Sequence, residues 1–524
     1  MSIFLHQLIS DTAKKTPNQT ALSFKNQQVS YQQLDQKVQA CRQGMCALQL
    51  PPLTRIAVFL PKTIDAVVAI FGASAAGFTF VPINHVLKPP QVEHIITDCE
   101  VKVLITNKQR WKQLLDAGIN IQPLTTVVLT DLPPDESQHG LLSWQTLQSH
   151  STSHITAPVT GNDMVAILYT SGSTGAAKGV VLSHQNILCG ARSVAQYLEN
   201  SQDDVILALL PLSFDYGLSQ LTTAFYVGAH CVLMDYLLPN DVIQVIQNYR
   251  VTGLAGVPPL WAQLMKANWP KGSDSSLRYW TNSGGAMPEA LLLKLRTTFK
   301  QASPYLMYGL TEAFRSTYLP PELIDTHQNS IGKAIPNAEV MVINEQGKIA
   351  KDGELGELVH RGPLVSLGYW NAPEKTHARF KQINSNHALS LPEYAVFSGD
   401  WVHRDRDGFM YFVGRKDDMI KSSGYRISPS EIEEVIYKHP LIIEAAALGV
   451  PHPELGQGLI IIYKSVDDEN IDSQLVKDCK GSLANFMQPL HYIQLHELAH
   501  NANGKIDRAR LSKEYMQLFT QDEL

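Results

Sequence analysis

ILYTSGSTGAAKGVVLSH, residues 167–184, decides how the chain is read. An apolar run leads in, glycines, hydroxyls and one lysine follow, and a second apolar run leads out. Backbone N–H groups in a glycine-rich turn can converge on an anion, and hydroxyls and an ammonium add donors. Thr170, Ser171, Gly172, Ser173, Thr174, Gly175 and Lys178 are therefore candidates for a polyphosphate loop. It is not the familiar NTPase loop, because Lys178 follows Ala177 and no glycine–lysine–hydroxyl run is present. MVAILYT and GVVLS read as strands, so the segment joins two strands. A flexible hairpin without a ligand is the plain alternative.

Outward from this segment, short apolar runs alternate with helical ones. RIAVFLP precedes TIDAVVAIFGASAAG and FTFVPI, and DVILALLPL precedes SQLTTAFYVGA and HCVLM. PNDVIQVIQNY leads into VTGLAGVP. Such alternation indicates an α/β class with layered sheets and helices, the sheets largely parallel. The texture changes near Gly414, where charged, turn-rich sequence begins. Ser428 as N-cap, Pro429 at the first helical position and Glu431 three after the cap then announce a helix. AALGV, LIIIYK, a helix around SQLVKDCKGSLANF and YIQL follow, as in a small α+β domain.

At about 100–200 residues per domain, a chain of 524 residues holds two to four units. Lys plus Arg is 43 and Asp plus Glu is 49, a formal charge of −6. That mild acidity argues against a nucleic-acid partner, though one mononucleotide needs only a few local donors. The first residues lack a basic start, apolar core and small-residue cleavage site, so no signal peptide is expected. No apolar run is long enough for a membrane span. The cysteines at 41, 46, 99, 189, 231 and 479 lack metal-type pairing, and the cytoplasm is the expected compartment.

Further stretches share one pattern: YGLTE (308–312), GELGELVHRGP (353–363), SGDW (398–401), GRKDDMIKSSGYRISPSEIE (414–433) and NGKIDR (503–508). In this order, nearly end to end, the chain resembles the adenylate-forming, AMP-producing ligases. These include acyl-CoA synthetases, adenylation domains of peptide synthetases, and firefly luciferase. Ala177 is a departure, since many members carry proline there. The resemblance implies a large N-terminal domain over 1–414, a hinge over 415–417 and a small mobile C-terminal domain over 418–524.

It also implies roles, each beside a plainer reading. Tyr308 would face adenine, Thr311 the α-phosphate and Glu312 a Mg²⁺ ion, where the plain reading is a strand-to-helix turn. Gly284, Gly285 and Ala286, with Gly309, would let backbone approach the base; otherwise they form tight turns. Asp400 and Arg415 would hold the ribose hydroxyls, and Asp417 would sit at the hinge, where a turn former and solvated charges are the alternative. Lys505, otherwise an exposed lysine, would bridge the substrate carboxylate and the α-phosphate, relieving repulsion between two anions. Gly424 would border the tunnel for a thiol, either coenzyme A or carrier-bound phosphopantetheine; a strand turn is the alternative.

The activated acid is read from PLSFDYGLSQL (211–221). Phe214 would lie near the carboxylate tunnel. Asp215 either pairs with a substrate ammonium or caps the following helix. Tyr216, Ser219, Met307, Arg315 and Ser316 are further pocket positions, with Tyr216 and Met307 suggesting a small or medium apolar pocket. Arg315 is unexpected beside an apolar side chain, which leaves room for it to point away. The first reading is an ATP- and Mg²⁺-dependent ligase for a small amino acid such as proline or alanine, loaded onto a separate carrier protein. The second is an acyl-CoA synthetase for a fatty or other organic acid. A non-catalytic nucleotide-binding relative is the reading of another class.

Overall fold

A computed structural model describes residues 2–150, 159–172, 175–236, 238–285, 287, 289–383, 393–415, 420–427, 429–466, 469–499, 506 and 508–519. Three sheets of seven, fourteen and five strands organise the chain. In the seven-stranded sheet, Leu141–Ser143, Thr126–Leu129, Val103–Thr106, Arg55–Val58, Thr79–Pro82 and Met164–Gly172 lie side by side in parallel. Gly175–Ser183 closes the edge as an antiparallel partner of Met164–Gly172. The two apolar runs flanking the glycine-rich segment are thus paired strands, with Lys178 in register with Thr170.

The fourteen-stranded sheet has two halves. Thr20–Phe24, His230–Leu233, Val205–Ala208, Gly253–Gly256, Tyr279–Asn282 and Ser303–Tyr308 run parallel. From Thr317–Leu319 onward the pairing is antiparallel, through Ser330–Ala334, Met410–Arg415, Glu393–Arg404, Gly356–Arg361 and Glu339–Ile343. The expectation of largely parallel sheets holds only up to Tyr308. A parallel return needs a crossover of a dozen or more residues, usually a helix. Between Thr317 and Arg415 the described chain has one α-helix, Pro373–Arg379, so its neighbouring strands pair antiparallel instead.

Helices Ile64–Ala75 and Asp215–Val227 are buried nearly all round and belong to one core that includes residues of both large sheets. Phe71 and Phe225 meet edge-on between them, ring centroids 5.3 Å apart. Neither helix turns a polar face to solvent: in the second, Ser219, Gln220, Thr222 and Thr223 are buried with the apolar residues. Gly217 sits in the first turn of the second helix because backbone packs against it. A Cβ there would lie 2.0 Å from the Pro211 carbonyl oxygen.

The five-stranded sheet contains Ile420–Ser422, Tyr425–Ile427, Ile442–His452, Gly456–Ser465 and His491–Gln494, packed with helices Pro429–Ile436 and Asp472–Ser482 around a separate core. The helix announced by Pro429 begins there; Ser428 lies outside the described residues. Among the described residues no helix is long and apolar enough to cross a membrane. Gly217→Ala is expected to lower stability by about 1–3 kcal/mol, read as a reduced midpoint in urea unfolding.

Candidate active site

Lys178, Glu312 and Tyr369 meet from three segments. The Tyr369 hydroxyl donates to Glu312 Oε1 at 2.6 Å, and Lys178 Nζ donates to the Tyr369 oxygen at 2.9 Å. The ammonium also lies 3.6 Å from Glu312 Oε1 and 4.1 Å from the Tyr369 ring centroid. Glu312 is buried, so these donors offset its loss of hydration. Backbone pairing sets Tyr369 in place. Leu367 N–H donates to Val181 O, Val181 N–H to Gly368 O, and Trp370 N–H to Gly179 O. The hairpin strand carrying Lys178 therefore also holds Tyr369. Sequence reading missed Tyr369; its signal was the LGYW run just beyond the quoted GELGELVHRGP.

Tyr308, at the end of the last parallel strand, meets Asp400 of the antiparallel half-sheet. The Tyr308 hydroxyl donates to Asp400 Oδ2 at 2.5 Å, and Asp400 and Arg415 are directly opposite on neighbouring strands. His360, also unremarked in the sequence, lies beside Tyr308 with near-parallel rings, centroids 6.2 Å apart. Both its ring nitrogens are buried and unpartnered. Burial lowers its pKa to about 4, although the Asp400 and Glu312 carboxylates pull it upward. The ring is neutral at pH 7.

A cavity of about 410 Å³ has Thr170, Asp215, Gly284, Gly309, Thr311 and Gly424 on its wall, so residues next in the chain to Tyr308 and Glu312 line it. Thr170 Oγ1 is buried without a partner. Asp215 is the first residue of helix Asp215–Val227, while Phe214 occupies the N-cap, so capping is not its position. It is only 4% exposed and stands at the positive end of the helix dipole, which favours a carboxylate. Tyr216, Ser219 and Met307 line a third, much smaller cavity of about 30 Å³. Arg315 does not point away. It is buried, lies over the Tyr216 ring and lines both cavities.

The small domain reaches this site through the turn between Ile420–Ser422 and Tyr425–Ile427. Gly424 has φ +78°, and a Cβ there would come within 2.6 Å of Val257. Its carbonyl oxygen faces Gly284, 3.6 Å from where a Cβ on that glycine would stand. Gly424 and Phe214 border both the main cavity and a neighbouring one of about 420 Å³. Tyr425 stacks on Phe486, centroids 3.7 Å apart, and Gln91 Nε2 donates to Glu431 Oε1 at 3.3 Å. Lys266 and Glu454 form an ion pair across the same contact. Gly285 packs near Pro258. Ser173, Thr174, Ala286, Asp417 and Lys505 lie outside the described residues, and of Ser171, Gly172, Gly175 and Arg415 only the backbone is described. Past Lys505, Arg508 pairs with Glu433 at 2.6 Å.

A family model described as AMP-binding enzyme matches residues 9–370, and one for the AMP-binding enzyme C-terminal domain matches residues 431–505. The chain belongs to the AMP-binding enzyme family. It is an AMP-forming ligase of that family, and curated proteins similar to it include a peptide synthase subunit and CoA ligases. One protein of the linear gramicidin synthase of Brevibacillus parabrevis is 28% identical over 97% of this chain, which spans 6% of that protein. A long-chain-fatty-acid–CoA ligase of Bacillus subtilis is 27% identical over 97% of this chain and 94% of its own length. Indoleacetate–CoA ligase of Aromatoleum aromaticum is 28% identical over 96% of each. The fold is that of o-succinylbenzoate CoA synthetase from Bacillus subtilis, with TM-score 0.82 at 24% identity, covering 97% of this chain and 98% of that one.

Two outcomes are expected of this AMP-binding enzyme. Tyr369→Phe removes the hydroxyl between Lys178 and Glu312 and lowers stability by about 1–3 kcal/mol, measured by urea unfolding. Burial lifts the Glu431 carboxyl from 4.5 to about 7, with Glu434 adding to the rise and Gln91 opposing it. A raised carboxyl pKa makes docking weaken as pH climbs from about 4.5 to about 7, and the loss is complete above. Glu431→Gln removes that dependence, so the docked population at pH 8 rises above the parent's in energy transfer between dyes on the two domains.

Proposed function

We propose that the chain activates a small amino acid as its acyl-adenylate and passes it to the phosphopantetheine thiol of a separate carrier protein. The observation that carries this reading is Asp215, a buried carboxylate on the wall of the cavity shared by Thr170, Thr311 and Gly424. A buried carboxylate on a cavity wall at a helix N-terminus is an anionic site suited to a substrate ammonium.

In the first half-reaction the substrate carboxylate attacks the α-phosphorus of ATP. A P–O bond forms and the bond to pyrophosphate breaks. No general base is required, since a carboxylate is ionised at neutral pH. The hairpin residues from Thr170 to Lys178 hold the phosphates, with Thr311 at the α-phosphate. Gly284, Gly285, Ala286 and Gly309 admit the base, Tyr308 faces adenine, and Asp400 and Arg415 take the ribose. Glu312 fits Mg²⁺: it is an oxygen donor held in place by Tyr369, and phosphate oxygens complete the shell. That ion supplies neutralisation of phosphate charge when bound. Lys505 places a cation between the two reacting anions.

In the second half-reaction the thiol attacks the acyl carbon and AMP leaves. The domain arrangement described above supports this step, with Gly424 at the junction of the two large cavities. Between the two half-reactions, rotation about the hinge at 415–417 exchanges Lys505 for the turn at Gly424. A second reading, an organic acid joined to coenzyme A, is favoured by the near full-length match to CoA ligases.

Pyrophosphate exchange across an acid panel separates them. The first reading expects exchange with a free amino acid, none with its des-amino analogue, and loss on Asp215→Asn. Exchange with des-amino acids, unaffected by Asp215→Asn, contradicts it. Lys505→Ala is expected to abolish adenylate formation yet largely spare thioester formation from a pre-made adenylate; equal loss of both overturns the two-arrangement mechanism.

A further inference from the structure

Arg315 puts a cation on the wall shared by the main cavity and the small one. Arg315 is 3% exposed, with its guanidinium carbon 4.2 Å from the Tyr216 ring centroid. Its Nε is buried without a hydrogen-bond partner, and no described carboxylate forms an ion pair with it. The guanidinium cannot shed its proton. The nearby phenols do not balance it, because burial raises the pKa of both Tyr197 and Tyr216 and keeps them neutral. Two hydroxyls share this condition. Thr223 Oγ1, on the wall of the small cavity with Arg315, and Ser316 Oγ, next in the chain, are buried and unpartnered.

A buried, unpaired guanidinium flanked by unused hydroxyl groups is complementary to a carboxylate. Cation stacking on Tyr216 fixes the fork in place before any ligand arrives. The space beyond it is about 30 Å³, one water's share of volume, so nothing longer extends past Arg315. This wall differs from the apolar pocket that Tyr216 and Met307 suggested.

We propose that the acid activated here carries a second anionic group that ends at Arg315. Resting on the reading above, in which Asp215 takes the ammonium, this makes the substrate class a short α-amino acid with a carboxylate side chain. Specificity is then set by two opposite charges on one pocket: Asp215 for the amine and Arg315 for the side chain.

The test is ATP–pyrophosphate exchange by the full chain with aspartate, glutamate, asparagine, glutamine, alanine, succinate and a fatty acid. One acidic amino acid is expected to exceed its own amide in kcat/KM by about 100-fold or more. Arg315→Gln, with folding checked by its melting temperature, is expected to erase or invert that ratio, and Arg315→Lys to keep its sign. Exchange with succinate but not with aspartate or glutamate supports Arg315 and overturns the Asp215 assignment. Exchange confined to alanine, the amides or the fatty acid overturns the Arg315 proposal and leaves adenylation standing. Unchanged selectivity in a folded Arg315→Gln also overturns it. No exchange with any acid overturns both.

Discussion

Glu312 comes from the turn after strand Ser303–Tyr308 of the fourteen-stranded sheet and Lys178 from the edge of the seven-stranded one, and Tyr369 sits between them by backbone pairing to the Lys178 strand. This three-residue contact brings residues of two sheets into one site. A carboxylate buried at the junction needs donors, and both donors arrive on the same strand pairing. The strand register therefore sets the geometry of this contact: a slip of one residue would turn Lys178 to the other face. The hydrophobic helices between the sheets fix the separation across which this contact forms.

The small domain adds a second constraint. Its turn at Gly424 fits only because glycine adopts positive φ beside Val257 with no side chain in the way. Two polar contacts border it, Gln91 on Glu431 and Lys266 on Glu454. Polar contacts of this kind hold a domain without fixing it, which suits the proposed exchange between two half-reactions. A carboxyl with pKa near 7 in those contacts, Glu431, makes docking responsive to pH in the neutral range.

Much of this was legible in the sequence. The strand–loop–strand at 164–183, the buried helices at 64–75 and 215–227, and the helix at Pro429 follow from periodicity and turn chemistry. The antiparallel half-sheet did not, because strand direction depends on the connection, and short apolar runs look alike in either sense. Asp215 could be named but not placed, since Asp serves equally as cap and as first helical residue. Tyr369 and His360 were missed because a buried tyrosine or histidine in a strand region reads as core until its partners are known. Arg315 shows the opposite lesson. An arginine next to apolar positions looks surface-directed in sequence, yet stacking on Tyr216 turns it inward.

The central claim is that one arrangement of the two domains serves thiol attack and a different one serves adenylate formation. All six cysteines are buried, so a pair introduced as Lys266→Cys and Glu454→Cys can be joined selectively by a short thiol-reactive bridge that locks the described arrangement. The locked enzyme should convert a supplied acyl-adenylate to thioester while failing to release pyrophosphate from ATP, and cutting the bridge should restore that release. Pyrophosphate release at the unlocked rate from the fully bridged enzyme would contradict the account.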